Sequence, residues 1–291
     1  TCPSLRRDLI QNRQDYLMAD SAPRFSSRFT FLISALGIAV GTGNIWRFPR
    51  IVATNGSENG AGSFLVAWIM FLFLWSIPLI IAEYVLGRQS RKGTVGAFAH
   101  FMGKPFAFLG GFVGFVSTAI AFYYSVVVGW NIYYFGSMTF NALPNTTETS
   151  WEIWNNFQNG SFPILFHAIA MSVGGFAIYK GVSSIEKVNR ILIPTLLVIV
   201  LISVVRALML PGSMAGISYL FTPDWAQLKE PRIWLEALTQ NAWDTGAGWG
   251  LFLTYAIYIK KRYGVIKNAF TVAIGNNLVS LMAAVMIFSK I

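Results

Sequence analysis

Charged residues are scarce in this chain. Of its 291 residues, 12% are charged and 55% are hydrophobic, whereas an average soluble domain carries about 25% charged residues. The chain has a single cysteine, Cys2, which excludes an intrachain disulfide. Its apolar runs contain no HExxH, GxSG or paired catalytic aspartates, motifs that intramembrane hydrolysis would need. We therefore expect neither an enzyme nor a disulfide scaffold.

Long apolar runs are what the chain does have. Its mean hydropathy is +0.54, and one membrane span needs about 20 mostly apolar residues. We divide the chain into a polar N-terminal segment, residues 1–28, and a transmembrane domain, residues 29–291. The domain contacts membrane lipid in this interpretation. The seven candidate spans are residues 29–54, 63–87, 106–136, 162–180, 189–209, 234–259 and 265–289.

The basic residues are distributed unevenly between the two sides of the membrane. The net charge is +10, and sixteen of the 22 lysines and arginines fall on one side if the spans alternate. The positive-inside rule then places the N-terminus and residues 1–28 in the cytoplasm. The basic excess is thus interpreted as a topology signal of a plasma membrane or bacterial inner-membrane protein. We expect no nucleic-acid partner. The sixteen residues lie in segments 1–28, 88–104, 180–190 and 260–267.

Two glycine-rich stretches interrupt the first and sixth candidate spans. They are AVGTG at 39–43 and WDTGAGWG at 243–250. Non-helical backbone at membrane depth occurs only inside the protein or beside a cavity. Glycine for close helix packing is the alternative explanation. Two matching stretches, each with a polar residue, favour an ion or substrate site at broken helices, with breaks expected at 39–43 and 244–248.

The chain resembles the neurotransmitter:sodium symporter family over nearly all of residues 24–290. The most specific match is GNIWRFP (43–49), followed by the NG and G-x-F elements of residues 55–64. The further matching motifs are IPLIIAEYVLGR (77–88), AFYYSVVVGW (121–130), IEKVNRILIPTL (185–196), YLFTPDWAQLKEPRIW (219–234) and GWGLFLTYAIY (248–258).

The resemblance implies an all-α membrane protein with the LeuT-like inverted-repeat fold, in which helices 1–5 and 6–10 of twelve are related. This chain would hold helices 1–7, truncated after helix 7, with helices 1 and 6 broken mid-membrane. The implied function is sodium-coupled symport of an amino acid or related small amine-bearing solute by alternating access. The alternative is a non-transporting fragment of such a symporter, because helices 8–12 would be missing.

The resemblance also assigns site residues, position by position. The implied sodium ligands are all oxygen donors, either side chains or the carbonyls of Ala39, Gly37 and Val40, of the kind that small hard cations prefer. Two Na⁺ sites are expected in the full-length protein. The first uses Ala39, Asn44, Asp244 and Asn276, and the second, partial here, uses Gly37 and Val40. The substrate pocket is assigned to Ile38, Ala39, Thr42, Gly43, Ile120, Tyr124, Trp243, Asp244, Gly246 and Trp249. The gate residues are Arg47 on the outside and Tyr258 in the cytoplasmic gate.

Several of these residues have simpler interpretations. Tyr124 could be an interface anchor, as membrane tyrosines often are. Asn276 and Asn44 could bridge helices through hydrogen bonds. Glu83, inside the second span, is interpreted as a structural partner of backbone or arginine, and His167 as a structural histidine.

The sequence departs from the family pattern at the chloride and first sodium sites. Asp244 stands where the family usually has serine or threonine, and Trp68 replaces the tyrosine of the chloride site. Ser280, which chloride-dependent members carry, is interpreted as a vestige of that site. We expect Asp244 to supply the balancing negative charge, so that chloride is not required. In the alternatives, Asp244 binds a substrate amine, or free N–H groups at the helix break hold its carboxylate.

Overall fold

The computed structural model describes residues 24–260 and 262–289, and the regular structure within them is helical, as predicted. Two five-residue π-turns, Gly43–Arg47 and Leu72–Ser76, interrupt the helices. The α-helices are α1 (Arg28–Ala39), α2 (Phe48–Thr54), α3 (Gly62–Phe71), α4 (Ile77–Ser90), α5 (Thr94–Met102), α6 (Ala107–Phe140), α7 (Thr147–Gln158), α8 (Phe162–Ile178), α9 (Val182–Leu208), α10 (Ser213–Phe221), α11 (Pro231–Thr245), α12 (Leu251–Ala256) and α13 (Val265–Phe288).

Most of the predicted spans are visible as long apolar helices. In the described residues, four stretches are long and apolar enough to cross a membrane, and two bent helix pairs raise that number to six. The first span is such a pair, bent by 54° between α1 and the stretch Gly43–Thr54. The sixth predicted span is α11 and α12, which residues 246–250 separate. The four continuous stretches are Gly62–Ser90, Lys104–Phe140, Val182–Leu208 and Val265–Phe288.

The first broken helix begins and ends at clear local signals. Ser27 caps α1 by accepting a hydrogen bond from the Thr30 N–H, which satisfies one of the unpaired donors of the first turn. The helix ends at Ala39 because Val40 adopts an extended conformation. The break therefore falls inside the predicted 39–43 stretch.

The second break lies two residues later than the sequence suggested. Asp244 and Thr245 still belong to α11, and the irregular backbone covers residues 246–250. The Thr245 hydroxyl donates to the carbonyl of Asn241 at 2.7 Å, inside the helix. Gly246 is the first residue in the left-handed region, at φ +64°, where glycine has no steric penalty. The break is therefore set by the first glycine and not by the charged residue before it.

The second span packs against both halves of the sixth. Its first helix, α3, contacts α11, and its second helix, α4, contacts α12. Gly87 of α4 allows the closest approach, since a Cβ there would overlap the Leu253 carbonyl oxygen and lie 2.9 Å from the Ala256 Cβ. Helix α13 packs against α4 and both halves of the first broken helix. The two breaks are thus enclosed by packed helices.

Replacing Gly87 with alanine is expected to lower the apparent melting temperature by several degrees, because the added methyl forces α4 away from α12. Overpacking of this kind typically costs about 1–3 kcal/mol. The measurement is thermal unfolding of the detergent-solubilised protein. Gly111→Ala is the matched control, since a Cβ at that helical glycine meets nothing within 4 Å. Equal stability of the two variants would contradict the close approach.

Candidate ion and substrate site

The side chain of Asn44 forms a hydrogen bond with the backbone of the first break. Its Oδ1 accepts a hydrogen bond from the Gly41 N–H at 2.7 Å, in the stretch where helical bonding stops. The last carbonyl groups of a helix, here those ending at Ala39, lack partners within the helix. The last carbonyl groups of α1 and the fully buried amide of Asn44 therefore border the same break. The predicted ligands Ala39 and Asn44 both border this break.

Glu83 of α4 holds the second break. One carboxylate oxygen accepts from the Gly248 N–H at 2.6 Å and the other from the Leu253 N–H at 3.0 Å. The carboxylate thus serves as an acceptor for two backbone donors near the start of α12, where unpaired N–H groups and the helix dipole favour an anion. This geometry agrees with the interpretation of Glu83 as a structural partner of backbone.

The two breaks face each other. A Cβ built on Gly43 would lie 3.3 Å from Asp244 Oδ1 and 3.3 Å from Trp243 Cδ1. On the other side of the crossing, a Cβ on Gly246 would lie 3.8 Å from Ile38 Cγ2. The predicted residues of the first and sixth spans are therefore neighbours.

A buried hydrogen-bond network links four polar side chains between these breaks and α13. Asn44 Nδ2 donates to Asn276 Oδ1 and to Ser280 Oγ, both at 2.8 Å. Ser280 Oγ in turn donates to Asp244 Oδ2 at 2.6 Å. All four side chains are at most 3% exposed. The structure thus brings together three of the predicted sodium ligands and the residue interpreted as a vestigial chloride ligand.

One oxygen of the network is left without a partner. Asp244 Oδ1 is buried and accepts no hydrogen bond of standard geometry among the described residues, although the Gln240 amide lies close enough to donate to the carboxylate and the charge of Arg47 acts on it. This same oxygen faces Gly43 of the first break. A buried carboxylate oxygen without a partner is costly, and a bound cation would supply the missing interaction. Carboxylate, amide and hydroxyl oxygens form a donor set that fits a small hard cation.

Aromatic side chains of α6 and the sixth span pack together beside the two breaks. The Tyr124 ring of α6 stacks on Trp243, with centroids 6.0 Å apart, and its hydroxyl lies beside Thr42 and Trp243. Trp243 also meets Trp249 edge to face at 5.4 Å. Tyr124 therefore projects toward the two breaks, in a position consistent with its predicted substrate role.

Arg47 lies over the ring of Trp243, one of these aromatic residues. Its guanidinium is 5.8 Å from the centroid of the Trp243 ring, and Nη1 donates to Gln240 Oε1. A cation at this distance from an indole face is attracted by the ring. Arg47, which the resemblance assigns to the outer gate, thus connects the stretch after the first break with α11, which precedes the second break.

The remaining predicted residues lie around this centre. Gly37, in the last turn of α1, faces α9, because a Cβ there would lie 3.2 Å from Asn189 Oδ1. Val40 is buried at the break itself, and Ile120 is partly buried on α6. Tyr258 lies just past α12, where its carbonyl accepts from the Phe25 N–H at 3.2 Å. Tyr258 is therefore on the N-terminal side of α1, apart from the centre.

Sequence reasoning missed two residues that touch the site. Gln240 was not singled out, although it lies one helical turn before Asp244 and thus on the same face of α11. Ser117 of α6 donates a hydrogen bond to the Trp249 carbonyl. No local pattern marks Ser117, since its role depends on the packing of α6 against the second break.

The sequence of this chain matches a known protein family and several of its members. The sequence profile of the sodium:neurotransmitter symporter family matches residues 22–161 and 159–291. An uncharacterized sodium-dependent transporter of Methanocaldococcus jannaschii is 30% identical over a 277-residue alignment that covers 92% of this chain and 55% of that protein. A sodium-dependent neutral amino acid transporter of Homo sapiens is 27% identical over 95% of this chain and 42% of its own length.

A solved structure shares the fold. The crystal structure of MhsT in complex with L-phenylalanine matches with a TM-score of 0.80 and 31% sequence identity, over 92% of this chain and 61% of that one. The chain therefore spans about half the length of the relatives it matches. The family profile covers nearly every residue, and the helical arrangement agrees with that of a LeuT-like relative. On this evidence, the chain belongs to the sodium:neurotransmitter symporter family.

Proposed function

We propose that this chain forms an ion- and substrate-binding part of a sodium-coupled symporter for an amino acid or a related small amine-bearing solute. The observation that carries the proposal is the unpartnered Asp244 Oδ1, which faces the first break from within the Asn44, Asn276 and Ser280 network. In this proposal Na⁺ is a transported ion. Asp244, Asn44 and Asn276, with the Ala39 carbonyl, hold it during transport.

The relatives support this choice of solute and ion. Two of them carry names that describe sodium-dependent transport, one of neutral amino acids, and MhsT was solved with L-phenylalanine. The substrate pocket is proposed to use the predicted residues around Tyr124, Trp243 and Trp249. Transport would proceed by alternating access around this midplane site, with the N-terminus in the cytoplasm. The second sodium site would use the Gly37 and Val40 carbonyls.

A non-transporting fragment remains the second candidate, because this chain covers only 42–61% of the relatives' lengths. The two candidates differ in a direct experiment. Sodium-driven amino acid uptake is measured in proteoliposomes that contain either the 291-residue chain alone or the natural polypeptide that includes it. Uptake by the chain alone would eliminate the fragment interpretation.

Replacing Asn44 with alanine is expected to raise the sodium concentration needed for half-maximal uptake by about tenfold, which corresponds to about 1.4 kcal/mol. The change removes one amide oxygen from the proposed cation shell and the acceptor of the Gly41 N–H. The measurement is the sodium dependence of uptake by the natural polypeptide, normalised to the amount of reconstituted protein. Asn141→Ala, at the exposed end of α6, is the control. If uptake persists with unchanged sodium dependence, Asn44 only bridges helices.

A further inference from the structure

The two residues Phe25 and Ser26, just before α1, are held by α9 and by the segment that follows α12. The Ser26 N–H and the Ser26 hydroxyl both donate to Glu186 Oε1 of α9, the N–H at 3.0 Å. The Ser26 carbonyl accepts from Lys260 Nζ at 2.8 Å, and the Phe25 N–H donates to the Tyr258 carbonyl at 3.2 Å. All three polar groups of Ser26 and the N–H of Phe25 therefore have partners outside the first span.

Glu186 contributes a buried carboxylate to this contact. The side chain is 7% exposed, and burial of a carboxylate is costly unless hydrogen bonds compensate for the lost water. Here the donors come from the start of the first span, since the Thr30 hydroxyl also lies within reach of the carboxylate. A hydrogen bond to an ionised acceptor is roughly twice as strong as one between neutral groups. Glu186 therefore holds the start of α1 more strongly than a neutral side chain would.

The other end of α1 is not fixed by regular helical backbone. The 12-residue helix ends where Val40 adopts an extended conformation, and it is bent by 54° from the stretch Gly43–Thr54. A Cβ on Gly41, inside this break, would meet nothing within 4 Å. A few residues of irregular backbone can absorb the rotation of a helix that they join. The tilt of α1 thus depends on what holds its beginning.

One face of α1 lies against α9. Thr30, Ser34 and Gly37 are spaced by four and three residues, which places them on the same face of a helix. Thr30 reaches Glu186, and a Cβ on Gly37 would lie 3.2 Å from Asn189 Oδ1. Ser34, between them, is 0% exposed, and its hydroxyl has no hydrogen-bond partner in the described part of the chain. Separation of α1 from α9 would therefore expose Ser34 to water.

We infer that Glu186 is a gating residue. By holding Ser26 it keeps α1 against α9 and closes the cytoplasmic approach to the two breaks, and it releases Ser26 when that side opens. The inference rests on the proposed function, with its cytoplasmic N-terminus, and deepens it by giving a role to a residue outside the ion and substrate site. Tyr258, which the resemblance assigns to the cytoplasmic gate, contributes its backbone carbonyl to the same contact.

The test is the rate at which a hydrophilic maleimide labels Ser34→Cys in the natural polypeptide, with its own cysteines replaced by serine, in unsealed membranes. Glu186→Ala is expected to raise this rate by at least about tenfold, because loss of a hydrogen bond to a charged group shifts an equilibrium by that factor or more. Ser26→Asp is expected to act in the same direction, since it sets a second carboxylate against Glu186. Ser26 is exposed, so this variant tests the contact even if Glu186→Ala does not fold.

Two controls separate gating from a general loss of packing. Lys187→Ala, at the exposed neighbouring position of α9, should leave the labelling rate within about twofold. Ser63→Cys, equally buried in the first turn of α3, should label no faster in Glu186→Ala than in the unmodified protein. Faster labelling at both cysteines would overturn the inference, as would an unchanged rate at Ser34→Cys in both contact variants. Absence of sodium-driven amino acid uptake by the unmodified polypeptide would instead overturn the proposed function, and the gating role with it.

Discussion

Replacing Asp244 with serine is expected to weaken sodium coupling and to make uptake respond to added chloride, whereas the unmodified protein transports without chloride. The half-saturating sodium concentration should rise by at least about tenfold, because a carboxylate 4 Å from a monovalent cation contributes roughly 4 kcal/mol at an effective dielectric constant near 20. The measurement is sodium-dependent uptake by the natural polypeptide in chloride and in gluconate media.

The chloride response has a structural reason. Without the carboxylate, the charge of a bound sodium ion loses its balancing anion. The Gln240 amide lies one turn before Asp244 and within reach of its carboxylate, and its Nε2 makes no hydrogen bond of standard geometry in the described part of the chain. In the serine variant this donor can stabilise an anion that enters the space of the lost carboxylate.

Asp244→Asn is the matched control, because it keeps the side-chain shape and removes only the charge. It should weaken sodium coupling nearly as much as serine does. Strong chloride dependence of the unmodified protein would refute the charge-balancing role. A serine variant with normal sodium coupling that loses only amine-bearing solutes would assign Asp244 to the substrate. The third interpretation, an Asp held by backbone N–H groups, finds no support in the observed hydrogen bonds, where Ser280 is the donor.

Replacing Glu83 with alanine is expected to be the most destabilising single change. It would leave the Leu253 N–H without its acceptor at a buried position and the Gly248 N–H without its acceptor at a part-buried one. An unsatisfied buried donor costs about 1–3 kcal/mol, to which the part-buried Gly248 N–H adds less. The apparent melting temperature in detergent should fall by about 5 °C or more, and uptake should be lost because the second break no longer keeps its shape.

Glu148→Ala is the control for this experiment, since Glu148 is an exposed glutamate in the first turn of α7. Its melting temperature should stay within about 2 °C of the unmodified protein. Glu83→Gln should be intermediate, because the amide retains one acceptor but points an N–H₂ group at a donor. A Glu83→Ala protein with normal stability would show that water or another group replaces the carboxylate.

The breaks and the span positions could be predicted because they depend on local chemistry. Glycine clusters within apolar runs mark irregular backbone wherever they occur, and the first break falls where the residues 39–43 predicted it. The second lies at 246–250 because α11 continues through Asp244 and Thr245 and ends at the first glycine, Gly246, which adopts a left-handed conformation. The sequence does not show whether a polar residue that directly precedes a glycine cluster belongs to the helix or to the break.

The partners of the site residues could not be predicted, since they come from distant parts of the chain. The Arg47–Gln240 hydrogen bond joins residues 193 positions apart, and Ser117 reaches Trp249 across 132 positions. The amide of Asn44 could point its oxygen in either direction, and only the Gly41 N–H and the two acceptors on α13 decide it. Whether these groups act in transport stays a prediction.

The π-helical turn at Leu72–Ser76 determines the directions in which the side chains of α4 point around the axis of the second span. An α-helix rotates by about 100° per residue, and a π-turn accommodates one residue more than the regular turn does. If one residue of this turn were absent, the helix could continue straight, but each later side chain would be rotated by about 100°. Glu83 would then point away from Gly248, and Gly87 away from Leu253. The one additional residue in this turn thus rotates α4 so that both Glu83 and Gly87 face the same segment of the sixth span, residues 248–253.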